Sequence, residues 1–399
     1  MESAYIVDAL RTPIGKYAGA LSSVRPDDLS ALVVKALLAR NAGIDPARIE
    51  DLIWGDTNQA GEDNRNVGRM IALLSGLPVE VGGMTVNRLC ASGMQSIMDA
   101  SRAIMLGDGE VMIAGGVESM SRAPFILPKS ATAFGRKSEI VDSTIGWRFT
   151  NPKLAEMYFP FSMGETAENI VDRYHLSREA QDAFAHESQV KYQAALEAGR
   201  WKDELVSVPI SPRKGNPYEV SQDEHPRLTS PEKLATLRPV FRKNGSVTAG
   251  NSSGVNDGAA GVILVSEHYL KEKKLHPMAR VVSMAIAGVS PDCMGLGPIP
   301  ATKKALQRGG LKISDIGLIE LNEAFASQSL ACIRDLDLNP AIVNVNGGAI
   351  ALGHPLGCTG ARISSTLLYE MKRRPEVRYG LATLCIGVGQ GAAIIYEKI

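Results

Sequence analysis

The sequence predicts an α/β protein of two similar halves, with a long segment inserted in the first. Two observations carry this prediction. Segments of the chain repeat in the same order, and each half alternates strand and helix, the pattern of a mostly parallel sheet covered by helices. A third observation marks where backbone must pass close to something else: glycine makes up 39 of 399 residues and is clustered.

The repeat is read from three pairs of segments. ALLARNAGIDPARIEDLIWGDTNQ, from Ala36, parallels ALQRGGLKISDIGLIELNEAFASQ, from Ala305. Each has a helical pattern, a Gly-containing stop, a turn and a short apolar strand. The strands end in polar residues, Asp56, Thr57 and Asn58 in one and Asn322 and Glu323 in the other. MTVNRLCASGMQSIMDASRAI parallels VNVNGGAIALGHPLGCTGARISSTLL, and GEVMIAGGVESMS parallels YGLATLCIGVGQG. Matched order argues for internal duplication. The first half is placed at 1–120, continued at about 254–273, and the second at 274–399.

Residues 121–253 fit neither half. They are rich in proline, charge and loop signals, and hold one clear helix, LSREAQDAFAHESQVKYQAALEAG, with Ser177 as N-cap and Gly199 as stop. Long insertions in α/β proteins often cover a site or bind a cofactor.

Composition narrows the function classes. Hydrophobic residues are 45% and charged residues 22%, with 43 basic and 43 acidic side chains. This balance gives no support to a nucleic-acid or membrane-surface partner. No apolar run approaches the ~18 residues of a membrane span. MESAYIVDALRTPIGKY reads as an early strand, not a signal peptide. The five cysteines are odd in number and none forms a CxxC pair. Reduced thiols and a cytoplasmic location are expected, and no metal-ligand set is visible.

Three segments can carry chemistry. Cys90 lies where TVNRLC, a strand end, meets SGMQSIMDASRAIML, a helix. A thiol there faces unpaired N–H groups and the positive end of the helix dipole, which favour thiolate. It reads equally as a small buried residue packing the turn. His354 precedes Pro355 on a loop thinned by Gly347, Gly348 and Gly353, and an imidazole there can exchange protons near neutral pH, a surface or structural histidine being the other reading. Cys385 ends a strand before Gly387, Gly389 and Gly391, where backbone amides can converge on an oxyanion. A structural cysteine in a hairpin is the other reading. Asn322 and Glu323 follow a strand, either as polarising groups or as a core-edge pair. Cys293, Cys332 and Cys358 read as packing.

Together these segments resemble the thiolase family along essentially the whole chain. VNRLCASGMQSI is similar to its nucleophilic-cysteine segment, NEAFA to its asparagine motif, NGGAIALGHPLGCTGAR to its histidine motif and LCIGVGQG to its second-cysteine motif. TAGNSSGVNDGAA resembles its coenzyme A loop. The resemblance implies a five-layered αβαβα fold and a homodimer or homotetramer. It implies thiolytic cleavage of 3-ketoacyl-CoA, with Cys90 as nucleophile, His354 as base, Cys385 as acid and base, Asn322 holding a water, and the Gly387 amide in an oxyanion hole. Ser253, Ala249, Phe241, Leu154, Met163, Ala324 and Phe325 would line the coenzyme A tunnel. Coenzyme A is then a substrate, with no tightly bound cofactor. Arg213, Lys214, Arg238, Arg242 and Lys243 are candidates for its phosphates.

Biosynthetic members usually carry histidine where this chain has Ser162, which argues for a degradative enzyme of the β-oxidation type. GEDNRNV and STIGWRF are similar to the 3-oxoadipyl-CoA thiolases of aromatic degradation, one alternative; acetoacetyl-CoA formation is another. Synthases of the wider superfamily lack the second cysteine. A non-catalytic CoA-binding module would not need the three reactive residues, and a cysteine hydrolase would release acyl groups to water.

Overall fold

The computed structural model describes residues 2–136 and 138–399. Its frame is a sheet of ten strands. The first half contributes β1 (Ala4–Arg11), β2 (Ile49–Gly55), β3 (Gly82–Val86), β4 (Val111–Ser119) and β5 (Asn256–Ser266). The second contributes β6 (Ala279–Gly288), β7 (Ile316–Leu321), β8 (Tyr379–Ile386) and β9 (Gln390–Lys398). The order across the sheet is β7-β8-β9-β6-β1-β5-β4-β2-β3, and the short strand Gly15–Lys16 pairs with β5.

The halves repeat one pairing scheme. β1 is antiparallel to β5 and β5 to β4, while β4, β2 and β3 run parallel. In the second half β6 is antiparallel to β9 and β9 to β8, while β8 and β7 run parallel. A bridge from Ile319 to Val343 stands where β3 pairs in the first half. The halves join at Tyr5↔Arg280 and Ile6↔Ala279. The sheet is therefore more mixed than the mostly parallel one expected. Parallel neighbours need a crossover, which the helices between β3 and β4 and before β8 supply; the tight turn between β8 and β9 permits only antiparallel pairing.

Among the described residues, the helices of eight or more residues are α1 (Pro26–Arg40), α2 (Val67–Leu74), α3 (Ser92–Leu106), α4 (Met163–Tyr174), α5 (Arg178–Glu197), α6 (Pro298–Gly309), α7 (Ala326–Asp335) and α8 (Leu356–Arg373), with α4 and α5 in the inserted segment. Strand alternation shows how the layers are filled. In β4, Met112 and Ala114 face a central core with α3 and α8, while Val111, Ile113 and Val117 face an outer core with α1 and α2. In β9, Ala392, Ile394 and Tyr396 face the same central core, while Ala393 and Ile395 face α6 and α7. With both faces buried, these strands read as continuous apolar runs. The result is five layers, α1/α2, sheet, α3/α8, sheet, α6/α7.

The middle layer is tight because small residues meet there. A Cβ on Gly93 of α3 would lie 2.7 Å from the Gly357 carbonyl oxygen and 2.9 Å from the Ala361 nitrogen of α8. α8 is buried from Gly357 to Met371, so little of its surface is left for water.

In the inserted segment, α5 starts and stops where the sequence placed it. Ser177 Oγ accepts from the Ala180 N–H, and Gly199 takes φ +67°. α4 begins at a reciprocal cap: Ser162 Oγ accepts from the Glu165 amide, and Glu165 Oε2 accepts from the Ser162 amide at 2.8 Å. α4 and α5 pack on α7 and on the short Ala349–Leu352 helix, so the insertion reaches across to the second half.

Candidate active site

Cys90 is presented by a strained turn. β3 ends at Val86, Leu89 takes φ +47°, and α3 begins at Ser92. A left-handed Leu persists only where its surroundings fix it. Here Asn87 Oδ1 accepts from the Leu89 amide at 2.9 Å, and Ser92 Oγ donates to the Leu89 carbonyl at 2.6 Å. Gly387 shares a pocket lining with Cys90, and its backbone N–H and that of Cys90 itself favour thiolate. Burial outweighs them and pushes the thiol up to about 11. Cys90 keeps some surface as a residue, but its sulfur is crowded by protein. The expectation that the helix end would favour the resting thiolate is therefore corrected: burial of the sulfur among the pocket walls outweighs the two amides.

Cys385 enters from the other half. It lies near the end of β8, and the chain reverses at Val388 and Gly389, with φ of +64° and +85°. Burial, and next the neighbouring charge of an ionised Cys90, hold its thiol well above the ordinary range. Cys385 packs with Ala324, Phe325 and Met163 in one small core. Cys293, Cys332 and Cys358 are free, buried and part of the packing, as expected.

His354 is buried, and its direction is set by hydrogen bonds. Its backbone N–H donates to Asn256 Oδ1 at 2.9 Å. Gly353 before it has φ +106°, and a Cβ there would lie 2.6 Å from the Asn256 side chain, so glycine is required. Nδ1 lies 2.7 Å from Thr359 Oγ1. That hydroxyl donates its hydrogen to the Pro355 carbonyl at 2.8 Å, so Nδ1 must be the donor to it. Nε2 is left as the acceptor and faces the Asn322 Nδ2 donor at 3.5 Å. Burial, reinforced by the Arg362 charge, holds the imidazole down at about 3, so it rests neutral. The Asn322 amide N–H donates to the Thr383 carbonyl, which seats Asn322 beside β8. Its Oδ1 is buried without a hydrogen-bond partner among the described residues.

Two carboxylates hold this arrangement together. Glu323 accepts from Asn344 Nδ2 at 2.8 Å, Ser188 Oγ at 2.7 Å and the Ile350 amide at 3.1 Å, fixing the loop that leads to His354. Of its two readings, the core-edge one fits Glu323, whose bonds are made within the protein. Glu118 Oε2 accepts from the Thr57 amide at 3.2 Å and the Gly357 amide at 2.8 Å, tying the first half to the start of α8. Burial raises Glu118 to about 7.

A pocket of about 250 Å³ opens beside Cys90, lined by Leu89, Gly387, Met163, Leu356 and the loop Ser143–Arg148. Phe241 stands edge-on to Phe325 at 6.2 Å, and the Ser253 amide donates to the Ala324 carbonyl at 3.0 Å. Phe241, Met163, Ala324, Phe325 and Ser253 thus gather on the Cys385 side, and Ala249 is exposed on the loop just before Ser253. Leu154, on the short Pro152–Met157 helix, is half-buried and is not part of the pocket lining. Arg242 is engaged by Asp172 at 2.6 Å, while Arg213, Lys214, Arg238 and Lys243 are exposed. Among the described residues, no group of three or more His, Cys, Asp or Glu is placed to hold a metal ion, and no helix is long and apolar enough to cross a membrane.

Thr359, Asn256, Glu118 and Arg148 escaped sequence reasoning. Thr359 lies inside the histidine motif and could have been suspected from its spacing. Asn256 and Arg148 lie inside TAGNSSGVNDGAA and STIGWRF, but only the fold shows what they face, and Glu118 is brought in by pairing between distant segments.

The layered frame carries two thiols, a neutral imidazole and an amide at the ends of its strands and helices, and the proteins it is similar to are acyltransferases. The family described as "Thiolase, N-terminal domain" matches residues 4–268, and "Thiolase, C-terminal domain" matches 275–398. The chain belongs to the thiolase family. It is 54% identical to the 3-oxoadipyl-CoA/3-oxo-5,6-dehydrosuberyl-CoA thiolase of Escherichia coli (strain K12), over 100% of both chains. It is 52% identical to a beta-ketoadipyl-CoA thiolase of Acinetobacter baylyi, again over 100% of both. The solved acetyl-CoA acetyltransferase of Bacillus anthracis matches with a TM-score of 0.94 at 43% identity, covering 100% of this chain and 99% of that one. These likenesses bear out the family and the five-layered fold.

Proposed function

We propose that the protein cleaves 3-ketoacyl-CoA with coenzyme A, through an acyl group carried on Cys90, and that the reaction reverses as a Claisen condensation. Cys90 gives its proton to His354 Nε2 as its sulfur attacks the keto carbon. The C2–C3 bond breaks, and Cys385 protonates the carbon of the departing acetyl-CoA enolate. The thiol of incoming coenzyme A gives its proton to the Cys385 thiolate and attacks the thioester. Cys90 leaves as thiolate and regains its proton from His354. A thioester suits this cycle because it transfers readily to another thiol.

The observation that carries the reading is that Gly387, from the turn just after Cys385, lines the same pocket as Cys90, so that the two halves meet at the nucleophile. The two amides at Cys90 and Gly387 suit the oxyanion formed at the acyl carbon. His354 and a water held by Asn322 suit the enolate oxygen. One such donor is typically worth ~10²–10³ in rate. With a thiol near 11 and an imidazole near 3, the pair rests neutral, so the proton moves as the substrate carbonyl takes up charge.

Ser253, Ala249, Phe241, Met163, Ala324 and Phe325 are assigned to the pantetheine of coenzyme A, with Leu154 further out, and coenzyme A is a substrate here. A homodimer or homotetramer belongs to this reading. It is supported by the outer edge of β3, where the sheet ends with Met84 exposed; sedimentation in solution tests it. The cytoplasmic location is supported by five free cysteines. The names of the relatives favour a 3-oxoadipyl-CoA thiolase over a fatty-acid β-oxidation enzyme.

The test is coenzyme A-dependent cleavage of acetoacetyl-CoA, 3-ketohexanoyl-CoA, 3-ketodecanoyl-CoA and 3-oxoadipyl-CoA, compared by kcat/KM. Cys90→Ser should abolish acyl transfer and the acyl-enzyme seen by mass spectrometry, with coenzyme A binding largely kept. Full activity in that variant removes Cys90 from the mechanism.

A further inference from the structure

The pocket beside Cys90 contains one charged residue in its lining, Arg148. It is half-buried, and among the described residues it has no ion pair and no side-chain hydrogen bond. Other arginines of the same inserted segment are engaged: Arg122 with Glu62, Arg178 with Asp182 and Arg242 with Asp172. A partly desolvated guanidinium is costly to leave without a partner, and its planar fork matches a carboxylate in two parallel hydrogen bonds.

The loop carrying Arg148 is built to hold it in place. Ser143 Oγ donates to the Pro124 carbonyl at 2.5 Å and accepts from Asn58 Nδ2 at 3.0 Å. Trp147 Nε1 donates to the Phe161 carbonyl at 3.0 Å. Between these anchors Gly146 turns the chain with φ +90°. The neighbouring walls are apolar, formed by Ile145, Leu356 and Met163. A carboxylate entering this pocket would find no competing acidic side chain in the lining.

We infer that Arg148 is the residue that reads the far end of the acyl group on Cys90, by pairing with a carboxylate at the end of the chain. This rests on Cys90 being the acyl carrier. The arginine also selects against plain alkyl chains, whose methyl end would sit against an unpaired charge.

The test compares two substrates of equal carbon count, 3-oxoadipyl-CoA and 3-oxohexanoyl-CoA, in the native protein, in Arg148→Gln and in Arg148→Glu. The native protein should prefer 3-oxoadipyl-CoA. Arg148→Gln should lower the ratio of the two kcat/KM values on the order of 10²-fold, through the KM of the dicarboxylic substrate, and Arg148→Glu should lower it further. Equal losses on both substrates, with weaker coenzyme A binding, would assign the arginine to coenzyme A and overturn the inference. Calorimetry on the native protein needs no variant: succinyl-CoA should bind more tightly than butyryl-CoA, and equal Kd values overturn the inference. A native enzyme that cleaves both substrates equally well overturns the role of Arg148 alone, whereas one that cleaves neither removes the thiolase reading beneath it.

Discussion

At the scale of single residues, the direction of His354 depends on Thr359. The threonine hydroxyl gives its hydrogen to Pro355 and so accepts from Nδ1, which leaves Nε2 as the base. Thr359→Val keeps the shape and removes the acceptor. We expect kcat to fall about 10–100-fold, the usual effect of losing an orienting partner, with the KM for coenzyme A little changed. A parallel fall in melting temperature and coenzyme A affinity would make Thr359 merely structural. Cys90, His354 and Cys385 were legible because each sits where a strand or loop meets a turn, and local sequence marks such places. The protonation states were not legible: the thiol of Cys90 depends on burial contributed by distant segments, and that burial reversed the influence expected from the helix end.

At the scale of elements, the contact of α3 with α8 leaves no room for a side chain at Gly93. Gly93→Ala would put a methyl group against the backbone of Gly357 and Ala361, which cannot swing aside as a side chain end can. Overpacking of this kind costs about 1–3 kcal/mol, so a clearly lower melting temperature is expected by calorimetry, together with reduced kcat, because Cys90 and His354 precede the two helices. An unchanged melting temperature would mean the helices can part without cost. The repeat was legible because both halves present the same series of strands and stops. α5 was legible from its caps. The antiparallel centre was hidden, since it follows from a tight turn and from an insertion that lets β5 return against β4. Nor could the loop Ser143–Arg148 be placed from sequence: it has no periodicity, and its position comes from bonds to Asn58, Pro124 and Phe161.

At the scale of the whole molecule, buried titratable groups make stability depend on pH in two opposing ways. Glu118 and Asp63 are raised by burial to about 7 and about 6. In that range the native protein keeps protons that the unfolded chain has lost, so stability is lost as pH rises through the folded values. His354 and His225, lowered by burial to about 3 and about 4, act in the other sense, with stability lost as pH falls below 6.5 towards those values. Glu118→Gln removes part of the first effect and leaves the second. The melting temperature of the variant relative to the native protein should therefore rise between pH 5 and pH 8. A constant difference across that range would mean Glu118 does not change ionisation there.

The glycine seam between α3 and α8 has a mechanical consequence. Two halves whose central helices meet backbone to backbone cannot work as jaws, because any rotation about the seam would open a gap or drive peptide groups together. The inserted segment is itself packed on the frame through α4 and α5 and tied to β1 by the buried pairs of Arg11 with Glu204 and Asp223, so adjustment to a substrate is left to its loop Ser143–Arg148. The frame that aligns the sulfur and the imidazole is thereby separated from the loop that meets the end of the acyl chain. A protein engineer seeking a different chain end could redesign Ser143–Arg148 and leave both central helices untouched.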